Sequence, residues 1–392
     1  MPDNELQIQC PIQGTIPFAP CPDHEVTPLI EHLKMNRPVE AQTEFPRGTV
    51  LPDGRLDLCK QSLGVTGCLR VADALRDNQQ IRSLLLGTDG IGDEGATSIG
   101  ELIHGNASLE IVYLGCNGIT SDGAKSLADS MSTQSSVQGL WLKRNPIGNQ
   151  GVGAIARMIE KGNSLRVLDL VNTGIGRTGI SRLCQSLMSE ECRIERLYLG
   201  GNGLDEVAAG CLAEVLSSNT GLKSLLLNVG AIGDSGAIAI ADALQNNTSL
   251  RELGLASNGI TARGADPVLR SVANHPALAN LDLGYSRSTR VLGASANSLD
   301  DEVGVQIARV LEGKAVLTRL NLAKCGIGQR GRAAIESALL VNQTIQHLVI
   351  DGGLSEAART RLMENRSRAV ELDQPSSDVT LVRSVYRTAK IQ

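Results

Sequence analysis

The chain has 392 residues, of which 37 are basic and 42 acidic, for a formal net charge of −5. That balance gives no general pull toward nucleic acid or an anionic membrane surface. No apolar run reaches the roughly 18 residues that a membrane-spanning helix needs.

The chain opens without a secretory signal, since Met1 to Cys10 has neither a basic start nor an apolar core. The nine cysteines are odd in number and scattered without a CxxC pair, which fits reduced thiols and a cytoplasmic protein. Residues 1–55 hold 9 of the 13 prolines, so this stretch is expected to be largely extended or turned. One short helix is predicted from Glu25 to Met35, with Leu29, Ile30 and Leu33 on one side. The segment is read as a cap on the first coil of a repeat array.

From Leu56 onward one pattern recurs. Its first positions fall at Ile81, Leu109, Val137, Leu165, Ile194, Leu222, Leu250, Leu278, Leu317 and Ile345, in steps of 28, 28, 28, 29, 28, 28, 28, 39 and 28. In the unit from Val137, Leu140 and Leu142 alternate as in a strand, Asn145 comes next, and Val152, Ile155, Met158 and Ile159 fall at helical spacing. Each unit is therefore a short strand, a tight turn and a helix. Strands stack about 4.8 Å apart, whereas helices are about 10 Å wide. A stack of such units must curve, with parallel strands on the concave side and helices on the convex side. The expected architecture is an α/β solenoid shaped like a horseshoe. Leu84 and Leu86 should be core. The Asn after the strand, at Asn117, Asn145, Asn202, Asn258 and Asn297, can bond buried backbone groups of adjacent coils. Cys325 takes that slot as a small thiol, Asp89 and Thr173 can also bond there, and Gly230 and Gly353 cannot.

The strand pattern followed by Gly92-Asp93-Glu94-Gly95-Ala96, and the unit end Asn106-Ala107-Ser108, resemble the ribonuclease-inhibitor-like class of leucine-rich repeats. NOD-like receptors and the Ran GTPase-activating protein carry such repeats. The resemblance covers residues 56–350 and implies the horseshoe. The class hosts inhibitors, receptors and regulators alike, so the resemblance selects no single function; by analogy with the Ran activator, regulation of a small GTPase is the alternative to protein binding.

Two later stretches depart from the repeat. Residues 284–294 are 11 extra residues between Leu283 and Asn297, expected to protrude from the rim and to be more mobile than their neighbours. After Ile350 the pattern gives way to a helix, Leu354 to Arg368, and a tail, residues 373–392. Val379, Leu381, Val385 and Tyr386 predict that this tail packs on the last coil. The organisation read from sequence is a cap (1–55), a repeat domain (56–372) and the tail.

Catalytic motifs are missing: there is no GxxxxGK[ST], HExxH or GxSxG, so no enzyme, cofactor or metal is expected. The glycosylation-like matches at Asn106, Asn246, Asn247 and Asn342 sit at repeat ends, where Asn can close a helix in the left-handed conformation. The informative residues stand between the paired strand leucines, facing the concave side. Aromatic residues are 2% of the chain, yet Tyr113, Trp141 and Tyr198 all fall on this column, beside Asp169 and Leu226. Lys143 flanks them, and Tyr285, Arg287 and Arg290 stand in the inserted loop. Aromatic residues edged by charge on a rigid surface suit a protein partner, so these nine residues are the candidate partner-binding site.

Overall fold

The computed structural model describes residues 19–131, 135–313, 316–368 and 382–387. Two compact units emerge, Met1–Ile194 with Pro375–Gln392, and Glu195–Gln374.

In the first unit, helix α1 (Asp23–Met35) buries Val26, Leu29, Ile30 and Leu33 and packs on α2 (Gly64–Leu75). Strands β1 (Thr43–Glu44) and β2 (Thr49–Val50) form an antiparallel hairpin, and β2 pairs antiparallel with β3 (Arg55–Asp57). This hairpin belongs to the proline-rich start, which turns back on itself ahead of the parallel repeat strands. Parallel pairing then links β3, β4 (Ser83–Leu85), β5 (Ile111–Tyr113), β6 (Gly139–Trp141) and β7 (Val167–Asp169) in sequence order. Helices α3 (Gly92–Gly105), α4 (Ser121–Ser130), α5 (Gly148–Glu160) and α6 (Arg177–Leu187) alternate with them and pack each on the next.

The second unit repeats the scheme. Strands β8 (Arg196–Tyr198), β9 (Ser224–Leu226), β10 (Glu252–Gly254), β11 (Asn280–Asp282), β12 (Arg319–Leu322) and β13 (His347–Ile350) are parallel and in order. Helices α7 (Glu206–Ser218), α8 (Gly233–Leu244), α9 (Ala262–Asn274), α10 (Asp301–Glu312) and α11 (Gln329–Val341) alternate with them, and α12 (Glu356–Arg368) comes last, against α11. No described helix is long and apolar enough to cross a membrane.

Register is set by the alternation of strand side chains. Leu84 and Leu86 are fully buried, and Leu84 pairs Val112 just as Leu85 pairs Tyr113. After most repeat strands the backbone turns through one left-handed residue, at Thr88, Cys116, Arg144, Asn172, Ser257 and Lys324 among others. The next residue closes the coil. Asn145 donates to the Leu114 and Leu142 carbonyls, both at 2.9 Å, while its Oδ1 accepts from the Asn117 and Ile119 amides. Cys325 Sγ and Thr173 Oγ1 reach carbonyls from the same slot. At Gly230 the rung is missing, and the facing Asn258 Oδ1 is buried without a partner.

The Gly-Asp-Glu-Gly-Ala stretch also has a job between coils. Asp93 accepts from the Thr120 and Gly123 amides at 2.7 and 3.1 Å, capping the next helix. A Cβ at Gly123 would stand 2.5 Å from that carboxylate, so glycine there is a packing requirement.

Two further expectations are corrected. The repeat-end Asn residues do not close helices in the left-handed region: Asn106 has φ −109°. Its amide instead donates to the Leu75 and Asn78 carbonyls of the previous coil, and its Oδ1 accepts from Ser108 and Leu109. The described tail residues 382–387 lie on β2 and β3 of the first unit, not on the last coil, with Val385 N donating to Asp57. A buried carboxylate there offers stronger acceptors than the last coil, which α12 already covers with Ala358 and Leu362. Val379 and Leu381 are outside the described residues.

Cys21, Cys59, Cys68, Cys184, Cys192, Cys211 and Cys325 are thiols. Cys116 is disulfide-bonded, which corrects the expectation that every repeat cysteine is reduced. It sits, buried, in the left-handed turn after β5, where φ is 62°.

Candidate protein-binding face

On the first unit, Leu85, Tyr113, Trp141 and Asp169 stand side by side on consecutive strands. The register is the one read from sequence, but the exposure is not. Trp141 is 4% and Asp169 5% accessible, so the expectation of a solvent-facing strip is corrected for both. The cause is local. Gly139 precedes Trp141 on the same face, where neighbouring strands carry Ile111 and Val167. A Cβ at Gly139 would lie 2.4 Å from the indole, so the missing side chain lets the ring lie flat on the sheet.

Tyr113 is folded down in the same way. Its ring occupies the space over Gly87 and Gly115, where an added Cβ would come within 2.5 and 2.9 Å of it. Lys143 Nζ stands 5.2 Å above the ring centroid, a cation–π contact, and both residues keep partial exposure. Burial raises the Tyr113 phenol pKa, and Lys143 opposes the rise. Burial alone would lower the Lys143 ammonium, but attraction to Tyr113 and Asp169 outweighs it and the net direction is upward. Burial pushes Asp169 up to about 6, against the pull of Lys143 and an amide bond from Val171 at 2.9 Å. Tyr113, Lys143 and Asp169 thus form one electrostatically linked group drawn from three coils. It presents a cation and an aromatic edge, and holds no nucleophile beside a base.

On the second unit the same column is more open. Tyr198, Leu226, Asp282 and Asn321 are half-buried and Val349 is 52% accessible. Gly254 interrupts the row, because Leu226 leans over it: an added Cβ would be 2.6 Å from Leu226 Cδ2. Asp282 gathers the Asn321 amide at 2.8 Å, the Asn228 amide at 3.3 Å and the Gly284 N–H at 3.0 Å. Burial still holds its carboxyl above the usual range. Arg196 pairs with Glu252 at 3.3 Å on the flanking column. In the inserted stretch Arg287 and Arg290 are exposed, and Lys324 Nζ lies 4.9 Å over the Tyr285 ring. Thr289 is buried and bonds Ser257 Oγ at 2.6 Å, and the Ser286 amide bonds the same oxygen at 3.0 Å. That hydroxyl anchor was not foreseen from sequence, since Ser257 looks like any turn residue.

The Leucine Rich repeat family matches residues 105–128, 246–269 and 314–335. The fold is a leucine-rich repeat. Among solved structures, the chain is similar to the leiomodin-1 actin-binding site 2, at 18% identity and a TM-score of 0.32, over 47% of this chain and 87% of that one. It is similar to the Caenorhabditis elegans tropomodulin C-terminal domain, at 17% identity and a TM-score of 0.33, over 41% and 94% of the two chains. It is also similar to a chain of the yeast Rad7 and Elc1 complex, at 17% identity and a TM-score of 0.42, over 70% of each. In a sequence comparison with curated proteins, nothing matches. No cluster of three or more His, Cys, Asp or Glu side chains fit for a metal ion occurs among the described residues.

The signal for the closed-down aromatic side chains was present in the sequence as Gly87, Gly115 and Gly139. Each lies two residues from an aromatic on its own or the adjoining strand. Asp57, Arg55 and Thr49, which hold the tail, carried no such signal.

Proposed function

We propose that this protein is a non-enzymatic binding module that takes a protein partner on the strand face of its repeats. The observation that carries this reading is the half-exposed side chains that each unit holds on its own strand face: Tyr113 with Lys143 across its ring in the first unit, and Tyr198 beside Leu226 in the second. A parallel sheet fixes these positions before the partner arrives, so little conformational entropy is lost on binding. Trp141 and Asp169 support the face from beneath, and Tyr285, Arg287 and Arg290 add contacts at the inserted stretch.

The test is capture of a partner by the full chain, followed by affinity measurement for that partner. Tyr113→Ala, Lys143→Ala and Leu226→Glu are compared with wild type after each is shown to fold by circular dichroism. An anchor residue is expected to lose about 2 kcal/mol, or about 30-fold in affinity. Wild-type affinity in all three variants would remove the strand face as the site. Stimulated GTP hydrolysis in a panel of small GTPases checks the alternative role as a GTPase regulator.

A further inference from the structure

Residues 382–387 rest on the strand face of the first unit, and most of what holds them is bonded to their main chain. Asp57 Oδ2 accepts from the Val385 amide at 2.6 Å, Arg55 Nη1 donates to the Arg383 carbonyl at 2.5 Å, and Lys60 Nζ donates to the Arg387 carbonyl at 3.2 Å. Two side chains are also read. Ser384 Oγ donates to Asp57 Oδ1 at 3.1 Å, and the Tyr386 hydroxyl shares a hydrogen with Thr49 Oγ1 at 2.5 Å. Between these, Ser384 and Tyr386 turn toward the sheet while Arg383, Val385 and Arg387 stay exposed.

The receiving groups are charged and enclosed. Asp57 is 0% and Arg55 9% accessible. A buried carboxylate needs donors, and Asp57 has three: the Cys59 amide from its own coil at 3.1 Å, and Ser384 and Val385 from the tail. Two of the three donors therefore come from a segment 327 and 328 residues away in sequence. The main-chain bonds supply affinity for a polypeptide that takes the same turned course as residues 385–387, and the two side-chain contacts supply selectivity.

We propose that Thr49, Arg55, Asp57 and Lys60 form a peptide-binding site for a Ser-x-Tyr segment. The chain's own Ser384–Tyr386 is its resident, displaceable occupant. The inference rests on the reading of the strand face as the binding face, and it names the ligand: a protein segment carrying an accessible Ser-x-Tyr. Being covalently attached, the resident competes at high effective concentration, so an outside peptide enters only when the resident is weakened. A negative charge at Ser384 does this, because it would face the Asp57 carboxylate.

The experiment uses the full chain and a fluorescent synthetic peptide of residues 382–387, Val-Arg-Ser-Val-Tyr-Arg, read by anisotropy. Ser384→Asp is expected to bind this probe at least about ten-fold more tightly than wild type, as the cis competitor leaves. Adding Asp57→Asn is expected to reverse that gain, as is replacing the probe serine by phosphoserine. Asp57→Asn keeps the oxygen that accepts from Cys59. If its melting curve shows that it fails to fold, Thr49→Val in the Ser384→Asp background gives the same reading, with the probe's Tyr→Phe analogue as its match. Equal probe binding by wild type and Ser384→Asp overturns the proposal, as does tight binding that ignores both receptor changes. If partner capture depends on Lys143 and Leu226 while no chain binds the probe, this inference falls and the proposed function stands. If the probe binds as expected while the captured partner ignores those residues, the reading of the wider face falls instead.

Discussion

Asp89 occupies the slot that asparagine fills in five other coils, at 117, 145, 202, 258 and 297. It is fully buried; Oδ1 accepts from the Gln61 amide at 2.9 Å, the Leu63 and Ser62 amides also stabilise the carboxylate, and Oδ2 is left without a hydrogen-bond partner. Burial holds its carboxyl pKa well above the usual value. Asn117, one coil on, shows what an amide does in this slot: its Nδ2 donates to the Leu86 carbonyl at 2.5 Å and the Leu114 carbonyl at 2.9 Å. Asp89→Asn keeps the Oδ1 acceptor and turns the orphan oxygen into a donor for the equivalent carbonyls of Leu58 and Leu86. Two net hydrogen bonds at about 0.5–1.5 kcal/mol each give an expected gain of about 1–3 kcal/mol. The gain must also depend on pH. The folded pKa of Asp89 lies above the unfolded value of 3.8, so wild type suffers no ionisation cost below that value. It loses stability as pH rises through the folded pKa. Asparagine does not titrate. Urea unfolding followed by circular dichroism at about pH 4 and about pH 7.5 should therefore show a small stabilisation at the lower pH and a larger one at the higher. A variant less stable than wild type near neutrality, or a gain equal at both pH values, would refute the reasoning.

Trp141→Ala is expected to cost about 3–5 kcal/mol in the same unfolding assay, as for other buried aromatic truncations, and a loss within surface range would restore the exposed reading. Gly139→Ala should cost about 1–3 kcal/mol by lifting the indole off the sheet, with a shift in tryptophan fluorescence toward solvent as the second readout. Alkylation in denaturant without reductant should label Cys21, Cys59, Cys68, Cys184, Cys192, Cys211 and Cys325, while Cys116 reacts after reduction; labelling of Cys116 at the outset would contradict its disulfide.

Much of the fold is legible because each unit repeats the same local instructions. Leu84 and Leu86 alternate around Leu85, a left-handed residue ends the strand, and Asn or its stand-in closes the coil. Strand pairing in turn puts Tyr113 beside Trp141 and Trp141 beside Asp169, the order that the period implies. These features depend on neighbours within one coil or the next, and a fixed period conveys them without coordinates.

What escaped the sequence depends on space between coils and on distant contacts. Asn106 looks like a local helix terminator, yet its amide serves the previous coil, 28 and 31 residues earlier. Alternation says which face Trp141 is on, but its burial is set by the room left at Gly139, just as the position of Tyr113 is set by Gly87 and Gly115. Periodicity assigns direction to a side chain and says nothing of whether it stands or lies down. The apolar residues of the tail point to the last coil as the nearest surface. Its seat is chosen instead by a buried carboxylate that needs donors, and Val385 reaches Asp57 across 328 residues of chain.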